Sequence, residues 1–206
     1  MLRPVLAAVL ALCAFVAVSA ENFEEGKHYV QLATPLPTQD PAKVEVVELF
    51  WYGCPHCFHL EPTMAKWEKT KAEYVDFRRM PAVFSQDWTP HARAFYAAEA
   101  LGDLDQLHAP LFKALHVDNR KIFNEEALLR FGAEQGLDAE DFTAAYTGFA
   151  IDGKVKQAMQ YTRSSGITGV PAIIVNGKYR VSVQSAGGEQ ELIEVINFLT
   201  AKEHKG

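Results

Sequence analysis

The chain has 206 residues, a formal net charge of −6 and 49% hydrophobic residues. This acidic balance lacks the basic footprint of a nucleic-acid-binding protein and disfavours loose adsorption to anionic lipid. A chain of this length can bury the core of one domain and accommodate an insertion.

The first twenty residues have the pattern of a cleavable signal peptide. Arg3 gives a positive start, residues 5–18 are almost all Leu, Ala, Val and Phe, and a Val-Ser-Ala sequence ends at Ala20. The apolar run is too short for a membrane span. A buried N-terminal helix is the alternative. We expect cleavage after Ala20 and an exported protein over residues 21–206.

The strongest strand signal is KVEVVELFW, residues 43–51, and KHYVQL at 27–32 is a candidate edge strand before it. A dense run of β-branched and aromatic residues is typical of a strand buried on both faces. This run contains Glu48, a carboxylate among apolar residues. The sequence therefore predicts a central strand with an acid inside it.

A turn and a helix follow this strand. Gly53 permits the turn, and Pro55 suits the first turn of a helix, where its missing N–H leaves no bond unmade. One face of the helix is apolar, at Cys57, Leu60, Met64 and Trp67. Residues 74–80, YVDFRRM, alternate as a second strand does. The result is a β-α-β unit with Cys54-Pro-His-Cys57 at its strand-to-helix junction.

Residues 84–158 are predicted to be an all-helical insertion. Pro110 lies within a leucine stripe that we expect it to kink or split. The predicted boundaries are an N-cap at Thr89, an end at Gly102, N-caps at Asn124 and Asp138, and a last helix over 152–165.

Strand character returns after the insertion. AIIV and KYRV flank Asn176-Gly177, a strong hairpin signal, and Gly187-Gly188 precedes a final amphipathic helix. The fold class is therefore α/β, in which segments 21–83 and 159–206 form one sheet domain around the insertion.

Three chemistries compete for the CxxC motif. Covalent haem attachment needs a histidine directly after the second cysteine, and Phe58 is there instead. A metal site could use Cys54, His56, Cys57 and His59. A closed tetrahedral site normally takes further ligands from a distant segment, and the sequence has no second CxxC or HxxxH. Metal binding stays an alternative to redox chemistry.

The redox interpretation explains more of the pattern. A cysteine at a helix N-terminus faces free N–H groups and the positive end of the helix dipole, and both favour the thiolate. Cys57, three residues after Cys54, can resolve a mixed disulfide. A stabilised thiolate stabilises the reduced form, so the disulfide becomes a stronger oxidant. The predicted direction is donation of the disulfide to a substrate.

Two motifs, in this order, carry a family resemblance: Cys-Pro-His-Cys after a hydrophobic strand, and GVPAIIVNGKY at 169–179. With them the chain resembles the DsbA family of periplasmic thiol:disulfide oxidoreductases, within the thioredoxin superfamily. The likeness covers nearly all of residues 21–206. It implies a thioredoxin fold with an inserted all-helical domain.

The resemblance also implies roles for individual residues. Cys54 is the exposed nucleophile, Cys57 its buried partner and His56 the main tuner of Cys54. Glu48 is a buried acid that helps to move the proton of Cys57. The alternative for Glu48 is a simple salt bridge to one of the two arginines at 78 and 79.

The second motif supplies the substrate side of the implied site. Val170-Pro171 is the implied cis peptide bond, and Pro171 packs against the cysteines. Val170 and Pro55 are the implied contacts for substrate peptide. His59 is interpreted as a solvated or groove-lining residue. Three other histidines are interpreted as structural: His91, His108 and His116.

The resemblance implies no cofactor beyond the Cys54-Cys57 disulfide and no metal. The implied partners are exported proteins that are still folding and a DsbB-type membrane reoxidase, and the protein is expected to be a periplasmic monomer. A disulfide reductase or isomerase is the alternative within enzymes. A non-redox metal- or peptide-binding module on a thioredoxin fold is the alternative outside them.

Overall fold

The computed structural model describes residues 23–205. The predicted signal peptide, residues 1–20, lies outside this range. Among the helices of the described range, none has the length and hydropathy that a bilayer crossing requires.

The core of the fold is a five-stranded sheet with the order β1-β5-β4-β2-β3. The strands are β1 (Val30–Gln31), β2 (Val44–Phe50), β3 (Val75–Pro81), β4 (Ala172–Val175) and β5 (Tyr179–Val181). β2 runs parallel to β3 and antiparallel to β4, and all seven of its residues are buried. The predicted central strand is confirmed, and the candidate edge strand shortens to the two residues of β1.

Helix α1 (Pro55–Glu68) follows β2, and Cys54 is its N-cap. The predicted apolar face is buried at all four positions: Cys57, Leu60, Met64 and Trp67. The strand, the turn and the helix therefore carry the CxxC motif to the N-terminus of α1, as the sequence predicts.

The middle of the chain is helical. Its helices are α2 (Thr89–Leu101), α3 (Leu104–His116), α4 (Glu125–Glu134), α5 (Ala139–Thr147) and α6 (Phe149–Ser164). The predicted N-caps at Asn124 and Asp138 are confirmed, because both side chains accept hydrogen bonds from the first turns of their helices. The predicted domain boundary after residue 158 falls inside α6.

One local prediction about the helical block is wrong, and of the two outcomes predicted for Pro110 the split is excluded. Thr89 is the first residue of α2 and not its N-cap, because a 3-10 turn at Gln86–Trp88 leads directly into the helix. Pro110 does not split α3, which is continuous through it. Leu107 and Leu111, on either side of Pro110, are both buried, so packing holds the helix together across the proline.

The C-terminal part returns to the sheet as predicted. Asn176 and Gly177 have φ values of 49° and 62°, as the corner of a type I′ turn requires, and Lys178 completes the three-residue connection between β4 and β5. A short helix, α7 (Val183–Ala186), was not predicted, and α8 (Glu189–Lys205) is the expected final helix. One hydrophobic core fills the space between the sheet and the helical block, and a second lies under α8.

Candidate active site

The two cysteines are free thiols with different surroundings. Cys54, the N-cap of α1, is 8% exposed, whereas Cys57 is completely buried. A backbone hydrogen bond from Cys54 to the carbonyl of Trp51 closes the turn that joins β2 to α1. The prediction of an exposed Cys54 is therefore wrong in degree: the turn and the neighbouring loop leave only a small part of the first cysteine accessible, and the second one lies in the core.

These surroundings separate the pKa values of the two thiols. The hydrogen bond from Cys57 has the largest effect on the pKa of Cys54, and it lowers this pKa. The backbone N–H groups of Cys57 and His56 and the charge of His56 also lower it, whereas burial raises it. Together they lower the pKa of Cys54 to about 6. Burial, followed by the hydrogen bond and charge of Cys54, raises the pKa of Cys57 far above the usual range of a thiol. Cys54 is therefore the group that carries the thiolate at neutral pH.

The second motif meets the first at Cys54. The peptide bond between Val170 and Pro171 is cis, as predicted, and Sγ of Cys54 lies 3.4 Å from the carbonyl oxygen of Val170. Beside this contact is a groove of about 610 Å³ whose walls include His56, His59 and Pro171. His59 is exposed and lines this groove, which agrees with its interpretation from the sequence as a solvated or groove-lining residue.

The four potential metal ligands of the motif do not share one surface. Cys57 points into the core, while His56 and His59 are exposed. Within residues 23–205, no group of three or more His, Cys, Asp or Glu side chains is arranged to hold a metal ion. The metal alternative therefore has no geometric support in the described part of the chain.

Glu48 lies inside the sheet and is paired with Arg79. The carboxylate is 1% exposed, and the register of β2 and β3 places it directly opposite Arg79, whose Nε is 3.5 Å from Oε2. Arg78 instead binds Glu45, at 3.0 Å. Burial first, and then the charge of Glu61, raises the pKa of Glu48 to about 8. The sequence had left the choice between the two arginines open.

Sequence reasoning missed a polar cluster under α1. Arg79 also binds Glu61 at 3.0 Å, and Nε2 of His108 lies 3.2 Å from that carboxylate. Nδ1 of His108 is hydrogen-bonded to the hydroxyl of Tyr52 at 2.8 Å, and His116 binds the carbonyl of Tyr52 at 2.7 Å. Glu61 could have been found, because it follows Cys57 by one helical turn. The histidines carry no such signal.

The comparison with protein families decides the classification. A model described as a DSBA-like thioredoxin domain matches residues 68–192, which is more than half of the chain. The chain belongs to the DsbA family. The match begins after the CxxC motif, so the relationship does not depend on the two cysteines.

Relatives of this DsbA-family protein cover nearly its whole length. The thiol:disulfide interchange protein DsbA of Pseudomonas aeruginosa is 39% identical over 97% of this chain and 95% of its own. The protein of the same name from Burkholderia cepacia is 37% identical over 84% of this chain and 82% of its own.

Solved structures give the same result. The crystal structure of Pseudomonas aeruginosa DsbA has a TM-score of 0.85 at 40% identity and covers 89% of this chain and 95% of its own. DsbA of Xylella fastidiosa has a TM-score of 0.82 at 30% identity, over 89% of this chain and 98% of its own. The thioredoxin fold with inserted helices is confirmed. This DsbA-family protein is a thiol:disulfide oxidoreductase.

Proposed function

We propose that this DsbA-family protein is a dithiol oxidase that donates its Cys54-Cys57 disulfide to exported proteins while they fold. The observation that carries the proposal is the asymmetry of the two thiols. A thiolate at Cys54, with a pKa of about 6, stabilises the reduced form and so makes the disulfide oxidising. A reductase needs a thiolate that is stabilised less, so that its dithiol gives up electrons more readily.

The reaction begins when a substrate thiolate attacks Sγ of Cys54. The Cys54-Cys57 bond breaks, a mixed disulfide forms, and the sulfur of Cys57 leaves and takes up a proton. A second substrate thiolate then attacks the substrate sulfur of the mixed disulfide and releases Cys54 as a thiolate. The substrate loses two electrons and gains a disulfide, and the protein ends as a dithiol.

Glu48 is the proton donor in this proposal. The sulfur of Cys57 is buried, so its departure as an anion is unfavourable unless a proton arrives with it. The pKa of Glu48, about 8, keeps its proton available at neutral pH. Burial and the Cys54 thiolate are the larger influences on the pKa of Cys57, and the charge of Glu48 also raises it, as expected for neighbouring groups.

Substrate peptide occupies the groove beside Cys54. We assign Val170 and Pro55 to peptide contact, because Val170 lies against Cys54 and Pro55 is exposed on the first turn of α1. His56 lines the groove and tunes the thiolate. Pro171 has no N–H that could compete for the sulfur atoms. The disulfide itself is the only redox group the reaction needs.

We place this reaction in the periplasm and assign reoxidation to a DsbB-type membrane protein. The signal-peptide pattern of residues 1–20 supports export. Fractionation followed by N-terminal sequencing tests this assignment. We expect a periplasmic monomer that begins at Glu21; a protein retained in the cytoplasm with its first residues intact would contradict it.

The equilibrium with glutathione tests the oxidase proposal. We expect a potential clearly more oxidising than the about −270 mV of thioredoxin. A potential at or below that of thioredoxin would make the protein a reductase.

Metal analysis of protein purified without chelator tests the metal alternative. That alternative predicts stoichiometric metal that is lost when both cysteines are alkylated.

A further inference from the structure

The carboxylates around Arg79 outnumber its positive charge. Glu48, Glu61 and Glu68 contact the guanidinium at 3.5, 3.0 and 2.9 Å. Of these three side chains only Glu68 is well solvated, with 41% of its surface exposed. One cation cannot balance two buried carboxylates and a third partly buried one. Arg79 alone therefore cannot keep both buried acids ionised.

The contacts of the two buried acids differ. Glu61 accepts two hydrogen bonds from Arg79, from Nε at 3.3 Å and from Nη2 at 3.0 Å, and it also faces His108. Within residues 23–205, Oε2 of Glu48 is buried with no well-formed hydrogen bond. A carboxylate that accepts charge-assisted hydrogen bonds is stabilised as the anion. Glu61 is therefore the better anion, and Glu48 is the better site for the proton.

His108 brings the helical insertion into this cluster. It is on α3 and is 7% exposed, and the rings of Phe50, Phe95 and Phe112 surround it at centroid distances between 5.2 and 6.0 Å. The hydrogen bond between Nδ1 and the hydroxyl of Tyr52 fixes the ring, and Nε2 lies 3.2 Å from Oε2 of Glu61 without the geometry of a well-formed hydrogen bond. The histidine is therefore oriented through Nδ1, and Nε2 acts on Glu61 through its closeness to the carboxylate.

We propose that His108 and Glu61 decide which acid of the cluster carries the proton. His108 holds Glu61 as the anion, and the anion keeps the proton on Glu48, where Cys57 takes it when the disulfide is broken. Glu48 becomes a carboxylate in that step and Cys57 becomes a thiol. Both His108 and Glu61 are positioning residues that act through Glu48. The inference rests on the proposed role of Glu48 as proton donor.

Other polar side chains in the region of His108 and Glu61 come from several elements of the fold. Arg79 comes from β3 and Glu68 from the end of α1, and Tyr52 comes from the turn after β2. His116, on α3, binds the backbone of Tyr52. His91, on α2, packs against the ring of Tyr52 at 5.7 Å, but its Nε2 is hydrogen-bonded to the carbonyl of Ile122. His91 is thus a buried histidine of the same region that does not contact Glu61.

The test compares His108→Gln with wild type and with His91→Gln as the matched control. Glutamine can still hydrogen-bond to Tyr52 and Glu61, but it cannot carry a positive charge. Stopped flow measures the rate at which dithiothreitol reduces the disulfide at each pH. This rate is divided by the concentration of the dithiothreitol thiolate, which is the attacking species. We expect the rate to fall at alkaline pH as Glu48 loses its proton. We expect His108→Gln to move this fall to lower pH by about one unit, and His91→Gln to leave it in place.

Glu61→Gln gives a second and independent variant. This substitution removes the Glu61 carboxylate directly, so we expect the alkaline fall of the reduction rate to move to lower pH as well. Because both residues act through one group, the double variant should shift the fall no further than the larger single variant does. Titration of glutamate carboxyl carbons by NMR in the reduced protein gives a direct measurement: the Glu48 signal should titrate at lower pH in both variants. If His108→Gln does not fold, Glu61→Gln decides alone.

Unchanged pH profiles in His108→Gln and Glu61→Gln would overturn the inference, and so would an equal shift in His91→Gln. The glutathione equilibrium separates this failure from failure of the proposed function. An oxidising potential with an unmoved pH profile contradicts only the role of His108 and Glu61. A thioredoxin-like potential contradicts the oxidase itself.

Discussion

Sγ of Cys54 lies 3.4 Å from the carbonyl oxygen of Val170, a residue 116 positions further along the chain. This contact joins the N-terminus of α1 to the loop before β4 and makes one site out of two motifs. A mixed disulfide at Cys54 must therefore form against the backbone of residues 170–171.

Replacing Pro171 with Thr tests this geometry. The substitution adds a backbone N–H next to the sulfur atoms, and we expect it to stabilise mixed disulfides with substrates. Adducts of the variant should accumulate in cells and disappear on treatment with reductant. Gel electrophoresis without reductant measures them. Wild-type levels of adduct would show that Pro171 does not act at the mixed disulfide.

Replacing His56 with Leu tests the contribution of its side chain to the thiolate. The charge of His56 lowers the pKa of Cys54, although less than the hydrogen bond from Cys57 does. We expect the pKa of Cys54 to rise by up to about one unit and the potential to fall by up to about 30 mV. Thiolate absorbance against pH measures the first effect.

His59→Leu is the matched control for this experiment, because His59 is also exposed and lines the same groove. It should leave the titration of Cys54 unchanged. An identical titration curve for His56→Leu and wild type would refute the tuning role.

The stability of the reduced protein should depend on pH more than that of the oxidised protein. The pKa of Cys54 is about 6 in the folded protein and about 8.5 in an unfolded chain. A lowered folded pKa adds stability that is complete above about pH 8.5 and is lost as the pH falls through 6. Both redox forms contain Glu48, so its titration largely cancels in the comparison.

Denaturant titration of both forms at pH 5 and pH 8 measures this effect. We expect the reduced form to gain about 2 kcal/mol over the oxidised form between these pH values. The shift of Cys54 corresponds to more than this, but its sulfur is partly solvated. A difference that does not change with pH would contradict the lowered pKa of Cys54.

Replacing each of the two adjacent arginines with Met separates their roles. Arg78 neutralises Glu45, and Arg79 neutralises Glu61 and also contacts Glu48. Each substitution leaves a buried carboxylate without its cation, so we expect both variants to lose about 3 kcal/mol of unfolding free energy. Only Arg79→Met removes a charge that lowers the pKa of Glu48.

The pH dependence of disulfide reduction distinguishes the two variants. Arg79→Met should move the alkaline fall of the rate to higher pH, and Arg78→Met should leave it in place. Equal shifts in both variants would mean that the effect is one of general destabilisation and not of the pairing with Glu48.

Local sequence features predicted most of the elements that build the site. Strand β2 follows from its run of β-branched residues, α1 from Gly53, Pro55 and the spacing of its apolar face, and the hairpin from Asn176-Gly177. The predictions at Thr89 and Pro110 differ from the structure because neighbouring structure outweighed the local preferences of these two residues. A 3-10 turn precedes the first, and buried leucines hold the helix across the second.

The sequence by itself determined the fold class, the position of the redox pair and the family, because strand and helix periodicity, turn residues and the two motifs are local signals. Only the tertiary structure decided that Arg79 and not Arg78 pairs with Glu48, because both arginines lie on one strand and its register selects between them. Only the tertiary structure brought His108 to Glu61. Their contact arises from the packing of α3 against α1, which no spacing along the chain encodes.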